Sequence, residues 1–264
     1  MQELLGQGRT ADVFRYDENR VIKIFHEEFA GLAFQEFQTA KNIESANAPK
    51  VYDIIDIDGK KGVVYEHIKG VSMLYLLQKA PLKVFKYAKL LADLHIEIHT
   101  RTANELPKLK DSLSAIIKDL KSINQSDKGV ILDYLSKLPE GNILCHYDFH
   151  PGNILIDSRK AKVIDWMTAH IGDPCADVCR TVLILQSNAL PPNISAFEGN
   201  LINIFRRTLC RNYINRYTRI AGVAWRDIEQ WMLPVAAARL AEGIEPEIPY
   251  LNNIISSKLS EMRC

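Results

Sequence analysis

Apolar and polar positions alternate along the first quarter of the chain and recur at helical spacing through most of the rest. Val13 to Tyr16 and Val21 to Phe25 are β-rich runs separated by Asp17-Glu18-Asn19-Arg20, a turn-forming cluster, and they predict a hairpin. A second hairpin pairs Val51 to Ile57 with Gly62 to Glu66 across Asp58-Gly59-Lys60-Lys61. Between them Ala33, Phe37 and Ala40 recur at helical spacing, and Pro49 stops that helix before the next strand. After Gly70 the period becomes helical. Pro81 stands near the start of a run in which Leu82, Phe85, Leu91, Leu94 and Ile98 form one apolar face. Further helices are predicted at Leu109 to Ile123 and at Asp127 to Leu138, the second ended by Pro139 and Gly141. Beyond Asp173-Pro174 the chain reads mainly as helix, interrupted by Pro191-Pro192, Pro234 and Pro246. The pattern predicts an α+β fold of two lobes, a strand-rich one over residues 1–68 and a mainly helical one over 69–264.

One strand pair interrupts the helical part. Residues 153–165, NILIDSRKAKVID, form two short β-rich arms about a polar turn at Ser158-Arg159-Lys160. A turn centred on Arg159 sets Asn153 and Asp165 opposite one another at the open end, to within about a residue of register.

Composition narrows the function classes. The 264 residues are 47% hydrophobic and 25% charged, ordinary values for a globular protein. Lys plus Arg number 33 against 32 for Asp plus Glu, so no charge excess points to nucleic acid or an anionic membrane. The start, MQELLGQGRTADVF, has no basic segment followed by an apolar core, and no apolar run is long enough to span a membrane, which places the protein in the cytoplasm. The five cysteines, Cys145, Cys175, Cys179, Cys210 and Cys264, lack paired CxxC spacing and read as free thiols. Cys175 and Cys179 share a helical face, where packing explains them better than a metal.

The candidate chemistry centres on the hairpin. An amide oxygen from Asn153 and a carboxylate from Asp165 suit magnesium, which takes hard oxygen ligands from one or two protein groups together with substrate phosphates. Asp148 precedes Asn153 by five residues, with Pro151 and Gly152 favouring an irregular loop, so its carboxylate can orient an attacking hydroxyl and accept its proton. Upstream, Gly6 and Gly8 precede a strand in a segment whose backbone can approach phosphate closely. It is not a Walker A loop, because no GK[ST] follows, and a Rossmann glycine loop would precede a helix. Lys23 is a charge inside the apolar strand Val21-Ile22-Lys23-Ile24-Phe25. It reads either as an edge lysine or as a phosphate-binding lysine steadied by a carboxylate, with Glu36 the candidate and Glu27, Glu28 and Glu44 the alternatives.

Assembled in this order, the residues resemble the aminoglycoside phosphotransferase and choline kinase superfamily, whose fold is similar to that of protein kinases. The resemblance covers nearly the whole chain. It rests most specifically on Leu144-Cys145-His146-Tyr147-Asp148-Phe149-His150-Pro151-Gly152-Asn153-Ile154-Leu155, similar to the family's HxDxxxxN loop, followed by Ile164-Asp165-Trp166. Leu91-Ala92-Asp93-Leu94-His95, Gly172-Asp173-Pro174 and Asp177 support it, whereas Tyr147 departs from the glycine that many members carry there. The resemblance implies a bilobal kinase-like fold, with an antiparallel sheet and one helix in the small lobe. It implies Asp148 as the catalytic carboxylate, Asn153 and Asp165 as magnesium ligands, Lys23 on the phosphates of ATP (or GTP), and Glu36 as its partner. Tyr65-Glu66-His67-Ile68 resembles the hinge, whose backbone near Glu66 and Ile68 would meet the adenine; Asp173 and Asp177 would order the loop and cap the next helix. Residues 166–172, between Asp165 and Asp173, are too few for a long activation loop, so a small hydroxylated or amino acceptor is expected, such as an aminoglycoside, sugar, choline or amino alcohol.

Two rivals make different predictions. A hydrolase would use His146, Asp148 and His150 as ligands of zinc or manganese, leaving Lys23 and the glycine segment without a role. A pseudokinase would bind nucleotide without turnover. Arg206, Arg207, Arg211, Arg216, Arg219 and Arg226, with no acid between Leu201 and Arg226, read as a solvated helical face or as a site for an anionic substrate. Trp225, Trp231 and Tyr217 read as pocket lining or as core.

Overall fold

Turn chemistry and strand propensity in the first 68 residues produce a five-stranded antiparallel sheet. The computed structural model describes residues 3–43, 47–103, 105–157, 160–187 and 195–263. In chain order the first elements are β1 (Leu4–Gln7), β2 (Ala11–Arg15), β3 (Arg20–Phe25), α1 (Leu32–Asn42), β4 (Val51–Ile57), β5 (Lys60–Glu66), β6 (Val71–Ser72), α2 (Met73–Lys79) and α3 (Val84–Ile98). Next come α4 (Leu109–Asp119), α5 (Gln125–Lys137), β7 (Ile143–Cys145), β8 (Ile154–Ile156), β9 (Ala161–Val163), β10 (His170–Gly172) and α6 (Pro174–Gln186). The chain closes with α7 (Ala196–Ala221), α8 (Trp225–Glu229), α9 (Met232–Arg239) and α10 (Ile248–Arg263). It divides into two compact units, one of Met1–Leu76, Ala103–Leu106 and Pro151–Ala169, the other of Leu77–Thr102, Pro107–His150 and His170–Cys264.

In the first unit the strand order is β1-β2-β3-β5-β4. Asp17 closes the β2–β3 turn by accepting the backbone N–H groups of Asn19 and Arg20 at 2.9 and 2.8 Å. Asp58 and Gly59 both take positive φ, 52° and 80°, as a two-residue hairpin turn matched to strand twist requires, so Lys60 and Lys61 extend β5 and do not belong to the turn. Helix α1 lays Ala33, Phe37 and Ala40 on Phe25, Val51 and Val63 to form the core of the sheet face. A smaller sheet, β6-β8-β9, completes the unit.

In the second unit α6 is nearly all buried, from Cys175 to Leu183, which makes it the central helix. Asp173 caps it by accepting the Cys175 N–H at 2.7 Å. Helices α3 and α7 pack closely, and β7 pairs with β10 beside them. Cys145, Cys175, Cys179 and Cys210 are buried free thiols, and burial raises Cys175 to about 12, so it packs as a protonated, unreactive side chain. No described helix is long and apolar enough to cross a membrane.

The α+β class and most elements agree with the pattern, and the departures have local causes. The glycine segment is itself partly a strand: β1 holds Gly6 opposite Val13, a pairing that two nearby glycines obscure. The face predicted for the helix after Pro81 is out of phase at its start. Leu82 is 95% exposed and Phe85 62% exposed, because a 3-10 turn over Pro81–Lys83 precedes α3, which buries Val84, Ala88, Leu91, Leu94 and Ile98. Helix α4 stops at Asp119 because Leu120 turns extended, and α5 starts at Gln125 behind an Asn124 cap. Pro234 sits in the first turn of α9, where a missing N–H costs nothing. Ser158-Arg159, Glu44, Pro191-Pro192 and Cys264 lie outside the described residues.

Candidate active site

Lys23 lies on β3, flanked by β2 and β5, so it is not an edge lysine. Strand alternation puts it on the same face as Phe25, toward α1, and opposite Val63. Its Nζ donates to both carboxylate oxygens of Glu36, at 2.8 and 3.0 Å, and to Asp165 Oδ1 at 3.0 Å. Glu36 is buried and also accepts the Tyr65 hydroxyl at 2.8 Å. Burial alone would lower the Lys23 ammonium, but the carboxylates of Glu36 and Asp165 outweigh it and hold it above the ordinary lysine range. Glu36 is pushed up by burial, which Lys23 opposes, and burial with Glu36 beside it raises Tyr65 well above a free phenol. Of the described candidate carboxylates, Glu36 is thus the one on Lys23; Glu27 and Glu28 fall in a 3-10 turn before α1.

The hairpin forms close to the predicted register. Ile154 pairs with Val163, and the Ile164 N–H donates to the Asn153 carbonyl at 2.9 Å, so Asn153 stands opposite Ile164, one residue from Asp165. Asp165 takes a left-handed conformation, φ 64° and ψ 61°, which Asp tolerates better than most residues, and begins the 3-10 turn of Trp166–Thr168. Elsewhere in this unit the Gly8 N–H donates to the Ala11 carbonyl at 3.0 Å, and a Cβ on Gly8 would stand 2.9 Å from that oxygen, so the turn requires glycine. Glu66 ends β5 with its N–H on the Lys50 carbonyl at 2.8 Å, and the Ile68 carbonyl accepts the Gly70 N–H at 2.8 Å.

Asp148 belongs to the second unit, in a loop that α6 fixes by three side chains on one face. Asp177 accepts the His146 N–H at 2.6 Å and the Tyr147 N–H at 3.0 Å. One turn on, Arg180 Nε donates to the Tyr147 carbonyl at 2.5 Å and Thr181 Oγ1 to the Phe149 carbonyl at 2.9 Å. These bonds hold Tyr147 at φ 60°, a conformation that glycine adopts without strain. The Asp148 N–H donates to His146 Nδ1 at 3.2 Å, so His146 orders the loop. The Asp148 carboxylate has His150 Nε2 at 3.6 Å and Arg180 Nη2 at 3.8 Å. Burial alone would raise its pKa, but His150, Arg180 and His146 outweigh it and hold it well below the usual carboxylate range. An ionised carboxylate of this kind accepts a hydrogen bond readily and a proton reluctantly.

Sequence reasoning missed Arg180 and Thr181, and placed Tyr65 in the hinge without its bond to Glu36. Arg180 had a signal, a charge within the apolar run of α6, of the same kind that singled out Lys23. Tyr65 and Thr181 had none beyond helix and strand period. As for the metal-hydrolase rival, the described residues gathered at ligand spacing are His95, His99 and Asp177. His95 Nδ1 lies 2.6 Å from the Tyr213 hydroxyl, His99 Nδ1 2.6 Å from that of Tyr217, and both Nε2 atoms face Asp177 Oδ2, at 3.1 and 3.3 Å. Each of the three residues already has a hydrogen-bond partner within the protein, His95 through Nδ1, and the trio lies beneath the loop that Asp177 holds.

Comparisons with known proteins agree with this fold. The sequence model of the phosphotransferase enzyme family, APH, matches residues 2–231. No curated protein matches the chain. Among solved structures, the apo form of a thermostable mutant of aminoglycoside phosphotransferase APH(4)-Ia superposes with a TM-score of 0.67 at 18% identity, over 98% of this chain and 94% of that one. A further variant of that mutant, in ternary complex with ADP and hygromycin B, gives 0.62 at 17% identity over 97% and 90%. A choline/ethanolamine kinase family protein from Mesorhizobium loti gives 0.59 at 16% identity over 100% and 88%. With the family pattern spanning all but the last two helices and the fold shared over nearly the whole chain, the protein belongs to the phosphotransferase enzyme family.

Proposed function

We propose that the protein is a small-molecule kinase that transfers the γ-phosphate of ATP, or GTP, to a hydroxyl of a small acceptor. The observation that carries this reading is Lys23, held as an ammonium by buried Glu36 and by Asp165, because an apolar strand bears such a cation at a cost that an anionic ligand offsets. In this reading Lys23 meets the nucleotide phosphates, Glu36 and Tyr65 fix its position, and Gly6 and Gly8 let the β1–β2 backbone approach the same phosphates. Backbone groups near Glu66 and Ile68 meet the base. The ADP bound by the APH(4)-Ia mutant supports a nucleotide donor.

Asn153 and Asp165 would hold Mg2+. Their fit rests on two hard oxygen donors one residue from register across a hairpin. The ion, when bound, offsets charge on the phosphates. Asp148 orients the acceptor hydroxyl by accepting its hydrogen bond, and takes the proton late, as suits a carboxylate of depressed pKa and a loose transition state. Arg180 and His150 hold that carboxylate ionised. Acceptors of the aminoglycoside, sugar, choline and amino-alcohol classes all present such a hydroxyl.

The test is nucleoside diphosphate release, coupled to a reporter, with and without Mg2+ and across a panel of those alcohols. Acceptor-stimulated release that requires Mg2+ and falls by about 10³-fold or more in Asp148→Ala is the expected result. Nucleotide binding with no release under any condition would establish the pseudokinase instead.

A further inference from the structure

The structure sorts the arginines of α7 by what they touch. Arg216 forks onto Asp93 of α3, Nε to Oδ1 at 2.6 Å and Nη2 to Oδ2 at 3.0 Å. Arg206 donates to the Ser187 carbonyl at 2.7 Å. Arg207 and Arg211 are different. They stand one turn apart on α7, both exposed, and neither forms an ion pair with a described carboxylate. Like charges at that spacing repel by a few tenths of a kcal/mol, roughly, and no described acid offsets them.

Arg207 and Arg211 line a concavity of about 340 Å³, shared with Gln186 of α6 and with Ile214, Asn215 and Trp225. The size falls within the range of small-molecule pockets, roughly 300–1,000 Å³. The lining has their anatomy as well: an apolar wall from Ile214 and the Trp225 ring, two amides, and two planar cations whose forks match a carboxylate or a phosphate. Trp231 and Tyr217, by contrast, are core. Gln186 lies on the same helix as Arg180, which reaches Asp148, about 9 Å of helix rise further on.

We propose that this pocket receives the anionic group of the phosphoryl acceptor, so that the acceptor is a hydroxylated carboxylate or phosphate and not a polycation. The proposal rests on the phosphotransferase reading above. A polyamine acceptor would bring its charges against Arg207 and Arg211 with no acid in the pocket to receive them.

Calorimetric titration of the full chain without nucleotide tests it, using D-glycerate and glycerol 3-phosphate as anions, glycerol as their neutral counterpart, and kanamycin as a polycation. At least one anion binds tenfold or more tightly than glycerol, and the anion that does so identifies carboxylate or phosphate as the group read. R207Q/R211Q abolishes the preference and R219Q, an exposed arginine elsewhere on α7, keeps it. The proposal is overturned if wild type shows no preference for either anion, if kanamycin binds as tightly, or if the preference survives in R207Q/R211Q. All substituted side chains are exposed, so the variants keep the wild-type Tm. Missing nucleotide turnover would overturn the phosphotransferase reading but leave this titration intact, so the two failures are distinguishable.

Discussion

Tyr147 occupies a backbone conformation that costs a residue with a Cβ about 1–2 kcal/mol and glycine nothing. What holds it there is two side chains: Arg180, whose Nε bonds its carbonyl and whose guanidinium lies 4.7 Å from its ring centroid, and Asp177, whose carboxylate accepts its N–H. The ring is buried, and its hydroxyl has no hydrogen-bond partner among the described residues. Tyr147→Phe therefore keeps the ring and its cation while removing an unsatisfied polar group, and should raise stability by about 1 kcal/mol in urea unfolding. A loss of that size would show that the hydroxyl is bonded after all. Tyr147→Gly relieves the strain but empties a site whose filling is worth roughly 3–5 kcal/mol, so it destabilises on balance. At this scale the sequence is legible only where a charge breaks an apolar run. That signal marked Lys23 in β3, and the same signal at Arg180 in α6 was passed over because no nearby motif demanded a partner for it.

The elements beneath the loop are joined by a buried polar network. His95 and His99 of α3 face Asp177 of α6, and each ring meets a tyrosine of α7. Burial lowers His95 to about 4, an effect His99 adds to and Asp177 opposes. The unfolded chain therefore binds a proton at this histidine from about pH 6.5 downward, where the folded protein does not. Stability must fall as pH drops from about 6.5 to about 4, by roughly 3 kcal/mol from this group. Asp177 acts in the same direction at lower pH. Burial would raise its carboxyl, but His95 and His99 hold it well below 3.8, so its contribution is present above the unfolded value and lost on further acidification. Urea unfolding at pH 7 and at pH 4.5 should show the loss, and His95→Gln should flatten that slope; an equal slope in the variant would place the proton elsewhere. Periodicity predicted these helices but not their phase, since Leu82 and Phe85 fit the apolar template and a 3-10 turn rotates them to solvent. β1 escaped notice for the opposite reason: its pairing is made by backbone, and its glycines leave no side-chain pattern to read.

Across the whole molecule, what could be read depended on covalent distance. Asp148, Asn153 and Asp165 lie in one stretch of twenty or so residues whose turn fixes their order, whereas Lys23 and Asp165 stand 142 positions apart and meet only because β3 and the hairpin belong to one unit. That long-range pairing has a measurable consequence. A ligand that binds the folded chain alone stabilises it by about 2.7 kcal/mol at one hundred times its dissociation constant. For a chain of this size that raises Tm by roughly 5–10 °C. ADP with Mg2+ should produce such a shift. Removing Mg2+ with EDTA, or replacing Asp165 by Asn, should shrink it, and Lys23→Met should abolish it, each judged against the variant's own Tm because loss of the buried cation destabilises the free protein by about 3–5 kcal/mol. If Lys23→Met shifted as far as the wild type, the ammonium between Glu36 and Asp165 would be a structural ion pair, and the nucleotide would have to be held by other groups.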